Sequence, residues 1–160
     1  MNFFYFALYT SHMNRYYLLG FLPIKKKNTL MNTSEKNQFN EQLRGRTMDL
    51  AANVRDLLLS SEIKFIDKPI VHQLIRSSSS VAANYRSATR GRSDAEFYSK
   101  ICIVAEESDE TLFWIDYLLK IKVLNNNDTK RLRDEAEQLV KLFSSIKRTM
   151  KEKLNKNRKV

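Results

Sequence analysis

The sequence predicts an all-α fold, an antiparallel up-down-up-down four-helix bundle. Apolar residues recur at spacings of three, four and seven in four long segments, as they do on the buried face of a helix. Only 3 glycines and 2 prolines occur in 160 residues, which favours a few long elements over many short ones. Helices of this length joined by short links pack as an antiparallel bundle.

The first two predicted helices run from about Phe39 to Ser60 and from about Pro69 to Ala88. Proline is tolerated at a helix start because its missing N–H has no partner there. The serine run 77–80 consists of weak helix formers, but the apolar spacing continues on both sides of it. We therefore predict a continuous helix whose small side chains admit a close neighbour and whose hydroxyls bond to the preceding turn.

The third predicted helix opens with a capping box, in which a serine and a glutamate three residues later satisfy each other's backbone N–H groups. The sequence 93–96, Ser-Asp-Ala-Glu, has this pattern, and the helix is expected to reach about Lys122. The segment Asn125 to Asp128 then ends the third helix and caps a fourth helix. The bundle should span 33–154, followed by a basic tail at 155–160.

Residues 1–32 differ in character from the rest, with two aromatic-rich runs followed by Lys25-Lys26-Lys27. Neither run reaches the roughly 18 residues needed to cross a bilayer, and a secretory signal carries its charge before the apolar part. The preferred interpretation is a poorly ordered leader from an over-extended reading frame, with Met31 as the true start. A membrane-surface anchor, a signal-anchor or ordinary structure are the alternatives.

A formal charge of +10 and a pI near 9.7 point to nucleic acid or an acidic protein as partner. Two basic groups are the candidate nucleic-acid-binding residues, one at the end of helix 2 and one in helix 4: Arg86, Arg90, Arg92, Lys147, Arg148 and Lys151. The alternative roles are helix-dipole complementation and a solvated basic tail. No base-reading motif is visible, so sequence-independent phosphate contacts are expected.

Helix 3 contains an acidic run, Glu106, Glu107, Asp109 and Glu110. Like charges at helical spacing destabilise each other, so we expect solvent or positive charges to offset this run. The run could be solvated or could pair with Arg76, Arg86 or a neighbouring subunit. A metal site is disfavoured because His72 lacks the glutamate three residues before it that di-iron bundles use. We assign these residues to packing or subunit contacts: Asn84, Glu106, Glu107, Asp109, Glu110 and Trp114.

Catalytic chemistry is not indicated, since the chain has no phosphate-binding glycine loop and only two histidines, His12 and His72. We expect a non-enzymatic protein without metal or cofactor. The lone Cys102 cannot form an intrachain disulfide, which is typical of a cytoplasmic protein.

Several segments together resemble the bacterial four helix bundle protein family, also known as the 23S ribosomal RNA intervening-sequence protein family. They are 43–51, 73–78, 80–85, 92–93, 96–97 and 106–111, within about Phe39 to Met150. The resemblance implies a four-helix bundle that assembles into a homopentameric ring. A related branch, the accessory protein of diversity-generating retroelements, binds nucleic acid and a reverse transcriptase. Many members carry Asn-Ile-x-Glu-Gly where this chain has 84–88, Asn-Tyr-Arg-Ser-Ala, a departure that adds positive charge.

The resulting expectation is a cytoplasmic homo-oligomeric bundle that binds nucleic acid, most naturally RNA, through a basic surface. A protein-interaction adaptor that does not bind nucleic acid is the alternative, and a membrane-associated bundle requires the leader to be real.

Overall fold

The computed structural model of the chain describes residues 32–124 and 127–157. Within these ranges the secondary structure is four long helices and one short 3-10 turn, with no strand. The helices are α1 (Thr33–Leu59), α2 (Lys68–Ala88), α3 (Asp94–Lys120) and α4 (Asn127–Asn157), and the turn is Phe65–Asp67. The predicted all-α four-helix fold is confirmed. Residues 1–31 of the predicted leader, Asn125, Asn126 and the last three residues of the predicted tail lie outside the described residues.

Contacts within the chain group Glu35–Val160 as one unit, and its core runs along the facing sides of the helices. The largest fully buried side chains come from all four helices and from the link after α3: Tyr85, Phe143, Leu43, Leu50, Leu74, Ile101, Ile115, Leu118, Leu124, Leu139, Val54 and Val81. Nearly all of these positions lie on the apolar faces read from the sequence, because helical periodicity alone determines which side of each helix is buried.

Helices α2 and α3 pack closely through small side chains, as the serine run predicted. The Ser77 and Ser78 hydroxyls donate to the Leu74 carbonyl at 3.3 and 2.8 Å, and both side chains are fully buried. From α3, the Thr111 hydroxyl lies 3.1 Å from the Ser77 hydroxyl. Small buried residues let two helix backbones approach, while the internal hydrogen bonds prevent the hydroxyls from being left unsatisfied.

Helix α1 is held to its neighbours by longer side chains. The Arg46 guanidinium forms a two-bonded pair with Glu135 of α4, at 2.8 and 3.1 Å. The Tyr85 hydroxyl of α2 donates to the Asn40 side chain at 3.2 Å. The early part of α1 therefore lies beside the end of α2, as an antiparallel pair requires.

Two helix ends differ in detail from the sequence-based expectation. The Ser93 hydroxyl accepts from the Glu96 N–H at 3.1 Å, but the Glu96 carboxylate accepts from the Arg92 N–H at 3.0 Å, one residue earlier than a reciprocal capping box places it. Helix α3 ends at Lys120 because Lys122 adopts a positive φ of 61°, and the Val123 N–H bonds back to the Leu118 carbonyl at 3.0 Å. This is a left-handed C-terminal cap without its usual glycine.

Helix α4 continues to Asn157, three residues into the segment expected to be a tail. None of the helices in the described ranges has a stretch that is both long and apolar enough to traverse a bilayer.

Candidate nucleic-acid interface

Two surface grooves on the bundle contain five of the six basic residues selected from the sequence. The first, between α1 and α2, is the arginine groove, with a volume of about 380 Å³. The second, between α3 and α4, is the mixed groove, with a volume of about 440 Å³. The arginine groove is lined by Glu41, Arg44, Gly45, Met48, Ala82, Arg86 and Arg90. The mixed groove is lined by Tyr98, Ala105, Glu106, Asp109, Val140, Ser144, Lys147, Arg148 and Lys151.

The arginine groove brings together three guanidinium groups and one carboxylate. Arg86 and Arg90 are exposed, and neither side chain is in an ion pair within the described ranges. Arg44 of α1 is half-buried and pairs with Glu41 one turn earlier. Its Nε is fully buried and has no hydrogen-bond partner among residues 32–124 and 127–157. The two exposed guanidiniums without an ion pair in the described part of the chain, Arg86 and Arg90, leave this groove open to an anion.

The local sequence explains how these residues reach one groove. Glu41, Arg44, Gly45 and Met48 are three and four residues apart, so they share one face of α1. Arg86 lies in the last turn of α2, where a cation complements the helix dipole. Arg90 follows in the turn, whose backbone is held by the N–H of Arg90 bonding to the Ser87 carbonyl at 3.1 Å.

The mixed groove contains three cations and two carboxylates. The Lys147 ammonium lies 3.7 Å from the Glu106 carboxylate, while Arg148 and Lys151 have no ion pair in the part of the chain that the structure describes. Asp109 lines the same groove. An anion entering here meets nearly as many negative as positive groups.

Arg92, the sixth selected residue, lies in neither groove. Its guanidinium is 3.7 Å from the Glu96 carboxylate, and its side chain is almost fully exposed. The hydrogen bond from the Arg92 backbone N–H, together with the guanidinium charge, lowers the pKa of Glu96. Arg92 therefore stabilises the N-terminal end of α3 through its contacts with Glu96.

The acidic run is compensated largely from within the molecule. Arg76 of α2 reaches Glu110 at 2.5 Å and Glu107 at 3.4 Å, and the Trp114 indole N–H donates to Glu110 at 3.1 Å. The Arg76 hydrogen bond is the main reason that the pKa of Glu110 is lowered. Of the two arginines considered for this pairing, Arg76 takes the role and Arg86 does not.

Asn84, the remaining selected contact residue, is satisfied within its own helix, since its amide donates to the Ser80 carbonyl and hydroxyl at 3.0 Å each. No group of three or more histidine, cysteine, aspartate or glutamate side chains within the described ranges is placed to hold a metal ion.

Besides Ala82 of α2, the four residues that α1 contributes to the arginine groove were not selected from the sequence: Glu41, Arg44, Gly45 and Met48. Their common helical face was a visible signal, but only the pairing of α1 with α2 brings that face next to Arg86. Arg44 and Arg46 look equivalent in the sequence; the structure separates them, because Arg46 turns to Glu135 of α4.

An apolar stripe also lies exposed at the C-terminal end of α3, at Phe113 and Tyr117 of the helix and Ile121 just after it. The Phe113 and Tyr117 rings stack with centroids 6.1 Å apart, and Phe113 keeps 54% of its surface accessible. Phe65 and Ile66 in the turn before α2 are still more exposed. Exposed aromatic surface of this kind is typical of protein–protein contact sites.

Most of the helical bundle matches a known protein family. The family model described as 23S rRNA-intervening sequence protein matches residues 42–145, about two-thirds of the chain. The chain belongs to this family. The resemblance expected from the sequence motifs is thereby confirmed, over nearly the same residues. No curated protein matches the chain.

A solved structure supports the fold of this family member. It is a protein of unknown function from the S23 ribosomal protein family of Bacteroides thetaiotaomicron VPI-5482. The two chains align with a TM-score of 0.58 and 23% identity, covering 65% of this chain and 96% of the other. At this identity the likeness establishes the shared helical fold.

Proposed function

We propose that this protein is a non-enzymatic, homo-oligomeric bundle that binds nucleic acid, with RNA as the expected form, by contacts to phosphate. The observation that carries the proposal is the arginine groove, where Arg86 and Arg90 lie unpaired among the described residues and Arg44 lines the α1 side. Guanidinium groups bind phosphate through two parallel hydrogen bonds, so three of them around one groove suit a nucleic-acid backbone.

The distribution of charge supports a local binding surface. The described residues carry 22 lysines and arginines against all 18 acids of the chain, so the bundle itself is only moderately basic. A groove in which cations outnumber acids three to one concentrates that charge at one place.

RNA is favoured over DNA by the family's description, which refers to an intervening sequence of 23S rRNA. We also propose a cytoplasmic location, because the lone Cys102 cannot form an intrachain disulfide, and this location is consistent with RNA as the partner.

The proposal is tested by titrating fluorescently labelled RNA and DNA with the full chain across a range of salt concentrations. The expected result is binding that weakens linearly on a plot of log affinity against log salt, as release of counterions from phosphate requires. Negligible binding at low ionic strength would refute the nucleic-acid function.

A protein-interaction adaptor is the second candidate, favoured by the exposed stripe at Phe113, Tyr117 and Ile121. The two functions separate in an affinity capture from cell extract with and without nuclease. Partners lost on nuclease treatment support nucleic-acid binding, while partners that remain support the adaptor.

We propose that the protein self-associates through the exposed stripe at Phe113, Tyr117 and Ile121. The family resemblance implies that the oligomer is a pentamer. Light scattering on the full chain should give a mass several times 18.8 kDa. Replacing Phe113 and Tyr117 together by serine should lower that mass, whereas the exposed Met48→Ser, on α1, should not. A monomer at micromolar concentration would contradict the oligomer.

A further inference from the structure

We propose that the arginine groove receives a single unpaired nucleotide of a nucleic-acid strand, with the phosphate on the guanidiniums and the base against Met48 and Gly45. This inference rests on the proposed function and specifies which form of nucleic acid it uses. The protein would then bind unpaired segments of nucleic acid without recognising their sequence.

The size and lining of the groove exceed what a phosphate contact alone requires. Its volume of about 380 Å³ lies within the range of roughly 300–1,000 Å³ that small-molecule pockets occupy. Met48, which lines this space, is about half exposed, and the largely buried Ala82 lies at the α2 wall. A Cβ built on Gly45 would meet no atom within 4 Å, so the α1 wall is open at that point.

The polar groups of the groove are suited to a phosphate. Arg44, Arg86 and Arg90 supply only hydrogen-bond donors, and the Arg44 Nε is unsatisfied in the described part of the chain. The Glu41 carboxylate, which pairs with Arg44, already occupies part of the position that a phosphate oxygen would take. We expect an incoming phosphate to displace this exposed carboxylate, because the phosphate can engage several guanidiniums at once.

The apolar lining distinguishes an unpaired strand from a duplex. In a double helix the bases are stacked inside and the backbone presents phosphates and sugars, so a base cannot lie against Met48 unless it leaves the stack. Proteins that bind unpaired nucleotides stack the base on an aromatic ring or an arginine plane, or hold it between apolar side chains in a pocket, and place the phosphate on a cation. The arginine groove provides both surfaces next to each other.

Substitutions at Gly45 test the groove while every arginine is kept. Because this glycine is exposed in a helix and a side chain there meets open space, alanine, glutamine and glutamate should all preserve the fold. Fluorescence anisotropy is measured with a single strand of about 12 nucleotides and with the duplex of the same sequence, at one low salt concentration. Thermal melting of each variant confirms that it is folded.

The expected order of single-strand affinity is set by size and charge. Affinity should decrease in the order natural chain, Gly45→Ala, Gly45→Gln and Gly45→Glu, because each larger side chain takes more of the space proposed for the base. Gly45→Glu should bind at least about tenfold more weakly, since its carboxylate also repels phosphate. The natural chain should also bind the single strand more tightly than the duplex.

Each contrary result has a separate meaning. If Gly45→Glu binds the single strand as the natural chain does, the groove is not the site, although the proposed function stands. A natural chain that prefers the duplex overturns the unpaired-nucleotide inference alone. Absence of any binding by the natural chain defeats the proposed function, and this inference with it.

Glu41→Gln provides a complementary gain of binding. Removing the carboxylate frees Arg44, so single-strand affinity should rise by up to about fivefold, the range of an exposed ion pair. Glu62→Gln, an exposed position in the link beyond the other end of α1, makes the same change in net charge and serves as the control. An equal rise in both variants, or no rise in Glu41→Gln, would show that Glu41 does not compete for the groove.

Discussion

The arginine groove and the mixed groove are similar in size and each contains two cations without an ion pair in the described residues, yet they differ in the groups around those cations. In the arginine groove one exposed carboxylate faces three guanidiniums. In the mixed groove Glu106 and Asp109 accompany Lys147, Arg148 and Lys151. Opposite charges a few ångströms apart cancel each other's field. Counting basic residues in the sequence therefore overestimates the positive potential of the mixed groove.

The difference also has a chemical side. All three cations of the arginine groove are planar guanidiniums, which bind phosphate with two bonds and stack on bases, whereas two of the three in the mixed groove are ammonium groups. The comparison therefore predicts that nucleic acid contacts the bundle chiefly between α1 and α2.

The largest effect is expected from the double charge reversal Arg86→Glu with Arg90→Glu. Because both side chains are exposed and outside ion pairs in the described ranges, the fold should be retained while two phosphate contacts are lost. Single-strand affinity should fall at least about tenfold, and the slope of log affinity against log salt should decrease by about 1.4.

The matched control for this reversal is Arg148→Glu with Lys151→Glu in the mixed groove, which alters the net charge by the same amount. Long-range repulsion alone should reduce its affinity only about threefold, and less as salt screens it. An equal or larger loss in the control would contradict the ranking of the two grooves.

The second prediction concerns the contact that holds α1 to α2 below the arginine groove. Tyr85→Phe removes the hydrogen bond to Asn40 but keeps the ring against Phe143, whose centroid lies 5.3 Å away. The free energy of unfolding should fall by about 1 kcal/mol. Tyr98→Phe in the mixed groove, where the hydroxyl is hydrogen-bonded with Cys102, should cost less because that ring is partly exposed.

The same tyrosine gives a dependence on pH. Burial raises the pKa of Tyr85 above its ordinary value near 10, so the folded state holds this proton more tightly than the unfolded state does. The natural chain should be fully stable with respect to this group below about pH 10 and should lose stability as pH rises further. Denaturant midpoints measured from pH 8 to 11 should decline less steeply in Tyr85→Phe; parallel declines would contradict the assignment.

The third prediction concerns variants that make the charge of the mixed groove more like that of the arginine groove. Glu106→Gln with Asp109→Asn removes both carboxylates of the mixed groove and frees Lys147 from its partner at 3.7 Å. Nucleic-acid affinity should increase by about two- to fivefold, since new phosphate contacts become available there. Asp56→Asn with Glu62→Gln changes the net charge equally at exposed positions outside either groove. If the two double variants bind alike, cancellation by the acids is not what limits the mixed groove.

Much of the helical framework was predictable because periodicity and capping are local. The helical spacing of the apolar residues places Leu43, Leu74 and Val81 on the inner faces of their helices, and all three are fully buried or nearly so. The end of α3 was placed too late because its left-handed position is occupied by Lys122, and no glycine marks it. The start of α1 was placed six residues too late, since Thr33 to Gln38 are exposed and carry no apolar signal.

The candidate site was predictable residue by residue but not as an arrangement. Arg86, Arg90, Arg148 and Lys151 were selected for their charge, and the structure leaves all four without an ion pair in the described ranges. The division into two grooves depends on which helices are neighbours. That division also depends on which carboxylates reach across, as Glu106 does to Lys147. Both are properties of tertiary packing that no local pattern encodes.

The smallest effect is expected where the acidic run faces α2 and lies outside both grooves. The hydrogen bond from Arg76 lowers the pKa of Glu110, so this pair stabilises the fold above the ordinary glutamate pKa and ceases to do so as pH falls through the lowered value. Glu110→Gln should reduce the free energy of unfolding at neutral pH by a few tenths of a kcal/mol, because water screens the partly exposed carboxylate. Denaturant midpoints between pH 7 and 3 should show a weaker acid dependence in this variant than in Asp109→Asn, one residue away and without an ion pair in the described chain. Equal acid dependence in the two variants would mean that the Arg76 pair does not contribute, and that the acidic run matters only where it enters the mixed groove.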